Sequence, residues 1–249
     1  YVNARPRPRQ AEPGTALPRP QSTAVAISDL VFEVLESTRQ LEVVPLGSAF
    51  PSPSLFPLDK LARCRTPAMR KLAPERMVED LTSGNERLRR QIGLRYVLGG
   101  AAVAVDEIVI THGAMEALNL CLQAVTQPGD VVAVESPTFY SALQALERLN
   151  LRAVEVATHP RDGIDLDSLA QVLERHPVKA CWFMPNFQNP LGSLMPDSRK
   201  QAMVELLARH AVPLIEDDVY GELYFGFHRP LPATADARQV PVTHRRSFS

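Results

Sequence analysis

The chain has 249 residues, of which 45% are hydrophobic and 22% charged, with a formal net charge of −1 at pH 7. This composition is ordinary for a globular protein with a sizeable core, and the balanced charge gives no reason to expect nucleic acid or an anionic membrane as a partner. No run approaches the roughly 18–20 apolar residues of a membrane span, and three widely spaced cysteines (Cys64, Cys121 and Cys181) argue against a disulfide framework or zinc site and favour a reducing cytoplasm.

Residues 1–27 are predicted to be a linker. Five prolines alternate with arginines in the first twenty residues, with little apolar material between them. Such a stretch cannot bury a core, so it is expected to be extended and largely disordered. A basic tail of this kind could contact nucleic acid, although a plain spacer is the simpler interpretation.

Residues 28–105 are predicted to be a helical and irregular segment. Helical spacing of apolar residues covers 28–39 and 85–96, and a further helix begins at Leu58. Between them, residues 46–57 are rich in Pro and Ser, which is typical of an irregular segment laid over a surface.

From Asp106 onward, short apolar strands alternate with amphipathic helices. This rhythm predicts an α/β domain over residues 106–249, with a mostly parallel sheet covered by helices on both faces. Ligands of such sheets bind beyond the carboxyl ends of the strands. The predicted strands are 107–110, 131–134, 151–156, 180–184 and 213–215, and the predicted helices are 115–125, 139–149, 166–175 and 198–210.

Two strand ends carry features suited to a phosphorylated, planar ligand. The turn from Thr111 to Met115 joins a strand to a helix, and its Gly113 would let a phosphate approach the free backbone N–H groups. Glycine-containing turns are common, however, so a plain turn remains open. Phe139 begins the helix after the next strand, where its ring could stack on a heterocycle or simply pack in the core.

Polar residues follow two further strands. The run from Asn186 to Gly192 places carboxamides at a strand end, although Asn-Pro-x-Gly is also ordinary turn chemistry. Three acidic residues in a row, Glu216 to Asp218, are costly unless a cation meets them. A metal, a protonated pyridine nitrogen or a solvated loop would each account for them, but the His and Cys residues nearby form no ligand cluster.

The order and spacing of these motifs resemble the fold-type I pyridoxal phosphate (PLP) enzymes, the class I/II aminotransferase superfamily. The likeness runs from about Leu46 to the last residue and is greatest to the aminotransferase-like domain of GntR/MocR-type transcriptional regulators. It is carried by Ser54-Leu55-Phe56-Pro57, Gly84-Asn85-Glu86-Arg87-Leu88-Arg89, Gln188-Asn189-Pro190-Leu191-Gly192, Glu216-Asp217-Asp218-Val219-Tyr220 and Ser247-Phe248-Ser249.

The resemblance implies a PLP site and a role for each of its residues. Asp217 would pair with the pyridine nitrogen, Tyr220 and Asn189 would hydrogen-bond the ring's 3′-oxygen, and Phe139 would stack on the ring. Asp218 would point the other way, so replacing it by Asn would change the ring's spectrum and chemistry less than replacing Asp217, and the Asn189-Pro190 peptide bond would be cis. The phosphate would be bound by the amides of Gly113, Ala114 and Met115 and by the hydroxyls of Ser247 and Ser249.

The resemblance also implies what lies outside these residues. The catalytic Schiff-base lysine is expected directly after Ser249, and the smaller C-terminal domain, with its arginine for the substrate carboxylate, is expected beyond it. Residues 1–3 look like the last strand of a winged helix, so DNA would be bound only through a domain preceding the linker.

Four functions fit this resemblance to different degrees. The favoured one is the effector-sensing domain of a cytoplasmic regulator, which binds PLP and an amino acid or amine and is a homodimer at full length. A stand-alone amino acid aminotransferase and an inactive degenerate fragment are the alternatives. A doubly wound protein that binds another phosphate ligand is the remaining one.

Overall fold

The computed structural model describes residues 11, 13–37, 52–77, 83–233 and 242–245. They include the strands β1 (Thr23–Ala24), β2 (Val131–Ser136), β3 (Arg152–His159), β4 (Gly163–Ile164), β5 (Val178–Phe183), β6 (Leu214–Asp217) and β7 (Val242–Arg245). These strands form a seven-stranded sheet in the order β1-β3-β2-β5-β6-β7, with β4 paired to β3. The pairs between β2 and β3, β2 and β5, β5 and β6, and β6 and β7 are parallel, whereas β1 and β4 each run antiparallel to β3.

Helices cover both faces of this sheet, as predicted. The helices are α1 (Ser28–Ser37), α2 (Leu58–Arg70), α3 (Glu86–Leu98), α4 (Ala114–Val125), α5 (Tyr140–Arg148), α6 (Leu166–Arg175) and α7 (Asp197–Arg209). Successive side chains of a strand point to opposite faces, so Val131 and Ala133 of β2 pack with α6 and α7, while Val132 and Val134 pack with α4 and α5. None of the helices in the described ranges is long and apolar enough to cross a membrane.

Three neighbouring parallel strands, β2, β5 and β6, place their carboxyl ends at one edge of the sheet. All four residues of β6 are buried, because both faces of the sheet are covered there. The loops that leave this edge begin at Pro137, Met184 and Asp218, which are the positions of the predicted motifs.

The predicted strand at residues 107–110 is wrong. Val105–Glu107 is a single 3-10 turn, and the amide of Ile110 donates to the carbonyl of Ser83 rather than to a strand. The approach is close because Gly84 has φ +90°, and a Cβ there would lie 2.5 Å from the Cβ of Ile110. An apolar run becomes a strand only when a neighbouring strand pairs with it, and among the described residues none does.

The strand β7 was not predicted. Its residues alternate in polarity too weakly to indicate a strand, and its conformation depends on parallel pairing with β6, where Glu216 lies opposite His244 and Asp217 opposite Arg245. The irregular segment predicted at residues 46–57 lies largely outside the described residues, although Pro53–Leu55 is a 3-10 turn.

The predicted linker is extended, but its described part is held against the sheet. The amide of Ala16 donates to the carbonyl of Thr158, and β1 adds to the edge of β3. The side chain of Arg152 donates to both the hydroxyl (3.2 Å) and the carbonyl (2.6 Å) of Ser22. The first twenty residues were expected to be largely disordered, but residues 16–20 contact the folded domain, because backbone groups at a sheet edge can be satisfied without any apolar side chain.

Glu147 anchors the end of this segment at the start of α1. One of its carboxylate oxygens accepts from the amides of Ile27 (3.0 Å) and Ser28 (2.9 Å) and from the hydroxyl of Ser28 (2.8 Å). These hydrogen bonds, the amide of Ile27 first among them, hold the pKa of Glu147 below its usual range.

Replacing Glu147 by Ala is expected to release the segment. All three donors lose their common acceptor, so thermolysin, which cleaves before exposed aliphatic residues, should cut before Ile27 several-fold faster than in the parent chain. The same change at Glu174, an exposed residue of α6, is the control and should leave the cleavage rate unchanged. Cleavage at the same rate in all three proteins would mean that the edge-strand contacts alone hold the segment.

Candidate functional site

The loops after β2 and β5 are tied together above the sheet edge. The side-chain amide of Gln188 donates to the carbonyl of Pro137 at 2.8 Å, and its oxygen accepts from the amide of Leu191 at 2.8 Å. The Asn189-Pro190 peptide bond is cis, which confirms the prediction made for it. These contacts fix the position from which the side chain of Asn189 projects.

Asn189 and Tyr220 meet across this edge. The side-chain nitrogen (Nδ2) of Asn189 lies 3.3 Å from the hydroxyl oxygen of Tyr220, although the two residues are 31 positions apart. The resemblance assigned both side chains to one ligand oxygen, and their polar atoms do lie within reach of a single atom.

Asp217 is the last residue of β6 and only 1% exposed. One oxygen of its carboxylate accepts from the amide of Val219 at 3.4 Å. All three acidic residues of the run are buried, so the solvated-loop alternative is wrong. Within the described ranges, no group of three or more His, Cys, Asp or Glu residues could hold a metal ion.

Asp218 is the centre of a buried ionic network. Its carboxylate accepts from the side chain of Asn186 at 2.9 Å, forms an ion pair with Arg229, and lies 3.2 Å from Nε2 of His244. The other ring nitrogen of His244 pairs with the hydroxyl of Tyr96 in α3. One carboxylate thus links β6, the loops on either side of it, β7 and the helical segment before the sheet.

The electrostatics of Asp218 give it a structural role that the sequence analysis did not predict. Burial raises the pKa of this carboxyl, but the hydrogen bond and charge of His244, then Asn186 and Arg229, outweigh burial and leave the pKa below its usual range. Sequence reasoning missed this network because Arg229 and His244 lie 11 and 26 residues downstream, in stretches without any motif.

Glu135 and Glu216 are two further buried carboxyl groups at this edge. Glu216 accepts from the amide of Ala233 at 2.7 Å. Glu135, near the end of β2, accepts from the amide of Met184 at 2.9 Å, and its burial raises the pKa from 4.5 to about 8. The sequence did carry a signal for a buried carboxyl group at this position, because Glu135 is the one charged residue in the apolar run of β2, but the sequence analysis did not use it.

Phe139 lies at the rim, directly before α5. Its half-buried ring packs against the same hydrophobic cluster as Tyr220, and its centroid is 4.8 Å from that of Tyr140. Both interpretations of this residue therefore remain: one part of the ring is in the core and another is exposed.

The predicted phosphate turn leads into α4. Gly113 has φ +110°, a conformation that favours glycine, and Ala114 and Met115 form the first turn of the helix. The amide of His112 donates to the carboxylate of Glu116 at 2.5 Å. Ser247 and Ser249, the other predicted phosphate ligands, lie outside the described residues.

Comparisons with known proteins show which sequences and folds this chain is similar to. The family model for aminotransferase class I and II matches residues 83–249. The uncharacterized HTH-type transcriptional regulator YdcR of Escherichia coli (strain K12) is 51% identical over 233 residues, which make up 94% of this chain and 50% of that protein. The chain spans about half the length of the curated relatives it matches.

Solved structures of aminotransferases share the fold. LysN, an alpha-aminoadipate aminotransferase of Thermus thermophilus complexed with N-(5'-phosphopyridoxyl)-L-leucine, has a TM-score of 0.72 and 30% identity, over 81% of this chain and 51% of that one. A kynurenine aminotransferase of Pyrococcus horikoshii, in complex with PMP, has a TM-score of 0.74 and 26% identity, over 88% of this chain and 55% of that one.

Replacing Asp218 by Asn is expected to destabilise the chain. Removing one partner of a buried ion pair leaves an uncompensated charge, which typically costs about 3–5 kcal/mol. Because the pKa of Asp218 is lowered in the folded chain, the stability that its ionised carboxylate contributes is present at neutral pH. It is lost as the pH falls through that lowered value.

Urea unfolding at pH 7, followed by circular dichroism, measures the loss of stability in Asp218→Asn. The matched control is Asp106→Asn, since the Asp106 side chain is fully exposed and its nearest cation is 3.9 Å away. A loss at Asp218 no larger than at Asp106 would contradict the network's importance for the fold.

Proposed function

Because this chain belongs to the aminotransferase class I and II family, we propose that it forms the PLP-binding part of an aminotransferase-like domain. The observation that carries the proposal is the 3.3 Å approach of Asn189 to Tyr220, which lies three residues after the buried carboxylate of Asp217 at the end of β6. A pyridine ring that carries a phenolic oxygen has two polar positions, the oxygen and the ring nitrogen. The side chains of Asn189 and Tyr220 would meet the oxygen, and the carboxylate of Asp217 would meet the nitrogen.

The donor set fits the cofactor of this family, PLP. When bound, PLP supplies an electron-withdrawing ring that stabilises negative charge at the α-carbon of an amine substrate. The site offers an anion at a strand end, together with a phenol, a carboxamide, an aromatic ring and a helix start. These are the groups that such a ligand requires.

Asp217 would keep the ring nitrogen protonated. Its carboxylate is 1% exposed, so it would meet a cation in a poorly solvated position, where a charge-assisted hydrogen bond is strong. Tyr220 and Asn189 would orient the ring through its phenolic oxygen, and Phe139 would cover one ring face.

The amides of Gly113, Ala114 and Met115 would bind the phosphate at the start of α4. The Glu116 carboxylate already occupies the amide of His112, so that amide is left out of the set. Ser247 and Ser249 are proposed as further phosphate ligands because β7 ends at Arg245, at the same sheet edge as Asp217.

At the level of the whole protein, we propose the effector-sensing domain of a cytoplasmic transcriptional regulator that binds an amino acid or amine and forms a homodimer. The support is the 51% identity to an HTH-type regulator, against 29% to the 2-aminoadipate transaminase of Thermus thermophilus. A stand-alone aminotransferase is the second candidate, supported by the structural match to LysN.

Asp217→Asn is expected to weaken PLP binding by the chain about ten- to a hundredfold. A hydrogen bond to a charged group contributes about 1.5–3 kcal/mol, and each 1.4 kcal/mol is a factor of ten in affinity. Equilibrium dialysis at pH 7 gives the dissociation constants, with Asp106→Asn as the control that should leave affinity unchanged. An equal loss in both variants, or no binding by the parent chain, would refute the assignment.

The regulator proposal predicts a winged-helix domain encoded in frame before Tyr1. The corresponding protein should bind DNA from its own promoter region, and adding PLP with an amine or amino acid should change that affinity, as measured by fluorescence anisotropy. Asp217→Asn should keep DNA binding and lose the response to ligand. Transamination by a protein without a DNA-binding domain would favour the second candidate instead.

A further inference from the structure

Glu135 is a buried carboxyl group with no role in the site described so far. It is 1% exposed and lies one residue before the end of β2. One of its oxygens accepts from the amide of Met184, where the loop after β5 begins, and the side chain of Gln188 in the same loop is a further polar neighbour.

The groups around Glu135 include no cation among the residues that the structure describes. The carboxylate of Asp217, in β6, raises the pKa of Glu135, and the uncharged side chain of Gln188, in the loop after β5, lowers it. On the other side, β3 contributes Glu155, which is exposed and accepts from the hydroxyl of Ser136 at 3.2 Å, and the uncharged Thr158.

A carboxylate in these surroundings is strongly disfavoured. Burial without a cation penalises the charged form, and a second carboxylate nearby penalises it again. The amide of Met184 and the side chain of Gln188 offset only part of this, so the pKa of Glu135 lies near 8. At neutral pH the group is therefore mostly a neutral acid.

We propose that Glu135 is a positioning residue that acts as a neutral carboxylic acid, holding the end of β5 in place and leaving Asp217 as the one anion that faces the cofactor ring. The second half of this statement rests on the proposed function. The loop that Glu135 holds at Met184 carries Asn189 five residues further on, so its position bears on the contact with Tyr220.

The protonation state of Glu135 has a direct thermodynamic signature in the chain without cofactor. Unfolded, this group releases its proton near pH 4.5, and folded near pH 8. Between these values the folded state binds more protons, so its stability decreases as the pH rises, by about tenfold in the folding equilibrium constant per pH unit. Below pH 4.5 the stability contributed by the protonated Glu135 is fully present, and above pH 8 the stability no longer decreases on account of this group.

Urea unfolding of the parent chain and of Glu135→Gln between pH 4 and 9 isolates this contribution. The ratio of the two equilibrium constants should fall about tenfold per unit from pH 5 to pH 8 and then become flat. In an Asp217→Asn background the decline should end at a lower pH, because one cause of the raised pKa is gone. A ratio that is independent of pH would overturn the proposal.

Equilibrium dialysis with PLP at pH 7 tests the positioning role. Glu135→Ala should weaken binding at least tenfold, since the amide of Met184 loses its acceptor, and Glu135→Gln should restore most of the affinity because it is neutral and keeps an acceptor oxygen. Glu155→Gln on β3 is the matched control. If Glu135→Gln binds as poorly as Glu135→Ala, the positioning role is wrong.

The two experiments separate this proposal from the proposed function. A parent chain that fails to bind PLP but shows the predicted pH dependence overturns the proposed function, and with it the positioning half, while leaving the neutral acid supported. A parent chain that binds PLP without that pH dependence overturns the neutral acid and leaves the cofactor site intact.

Discussion

Three consecutive carboxyl groups, Glu216, Asp217 and Asp218, are buried where β6 leaves the sheet. A buried charge is tolerated only where it is paired or hydrogen-bonded, so each of the three constrains a different part of the chain. Glu216 holds the backbone at Ala233, and Asp218 gathers Arg229, His244 and Asn186. The fold around the site is arranged to satisfy these groups.

Asp217 and Asp218 have different surroundings in this arrangement. Asp218 is surrounded by cationic and amide partners, which lower its pKa and make it part of the fold. Asp217 lies at the same strand end, close enough to Glu135 for its charge to raise the pKa of that group. Under the proposed function, adjacent residues would therefore serve stability and ligand binding separately.

Buried acids near one another also require that some of them give up their charge. Glu135 and Asp217 are coupled, and because no cation of the described residues acts on Glu135, its protonation is the less costly outcome. The same logic explains how a site can keep one anion for a cationic ring nitrogen while surrounding it with carboxyl groups that hold backbone amides.

Much of the fold and the site was already determined by the sequence. The helix at Leu166–Arg175 was predicted to the residue, and β2, β3, β5 and β6 to within three residues, because buried parallel strands and amphipathic helices leave strong local patterns. The motif residues Asn189, Asp217 and Tyr220 could be proposed as site residues for the same reason, because each lies at or shortly after the end of such a strand. Only the tertiary structure decided β7, the docking of residues 16–27, and the roles of Asp218 and Glu135. These depend on partners such as His244, Thr158 and Met184, and no local pattern records which distant group will meet a given side chain or strand edge.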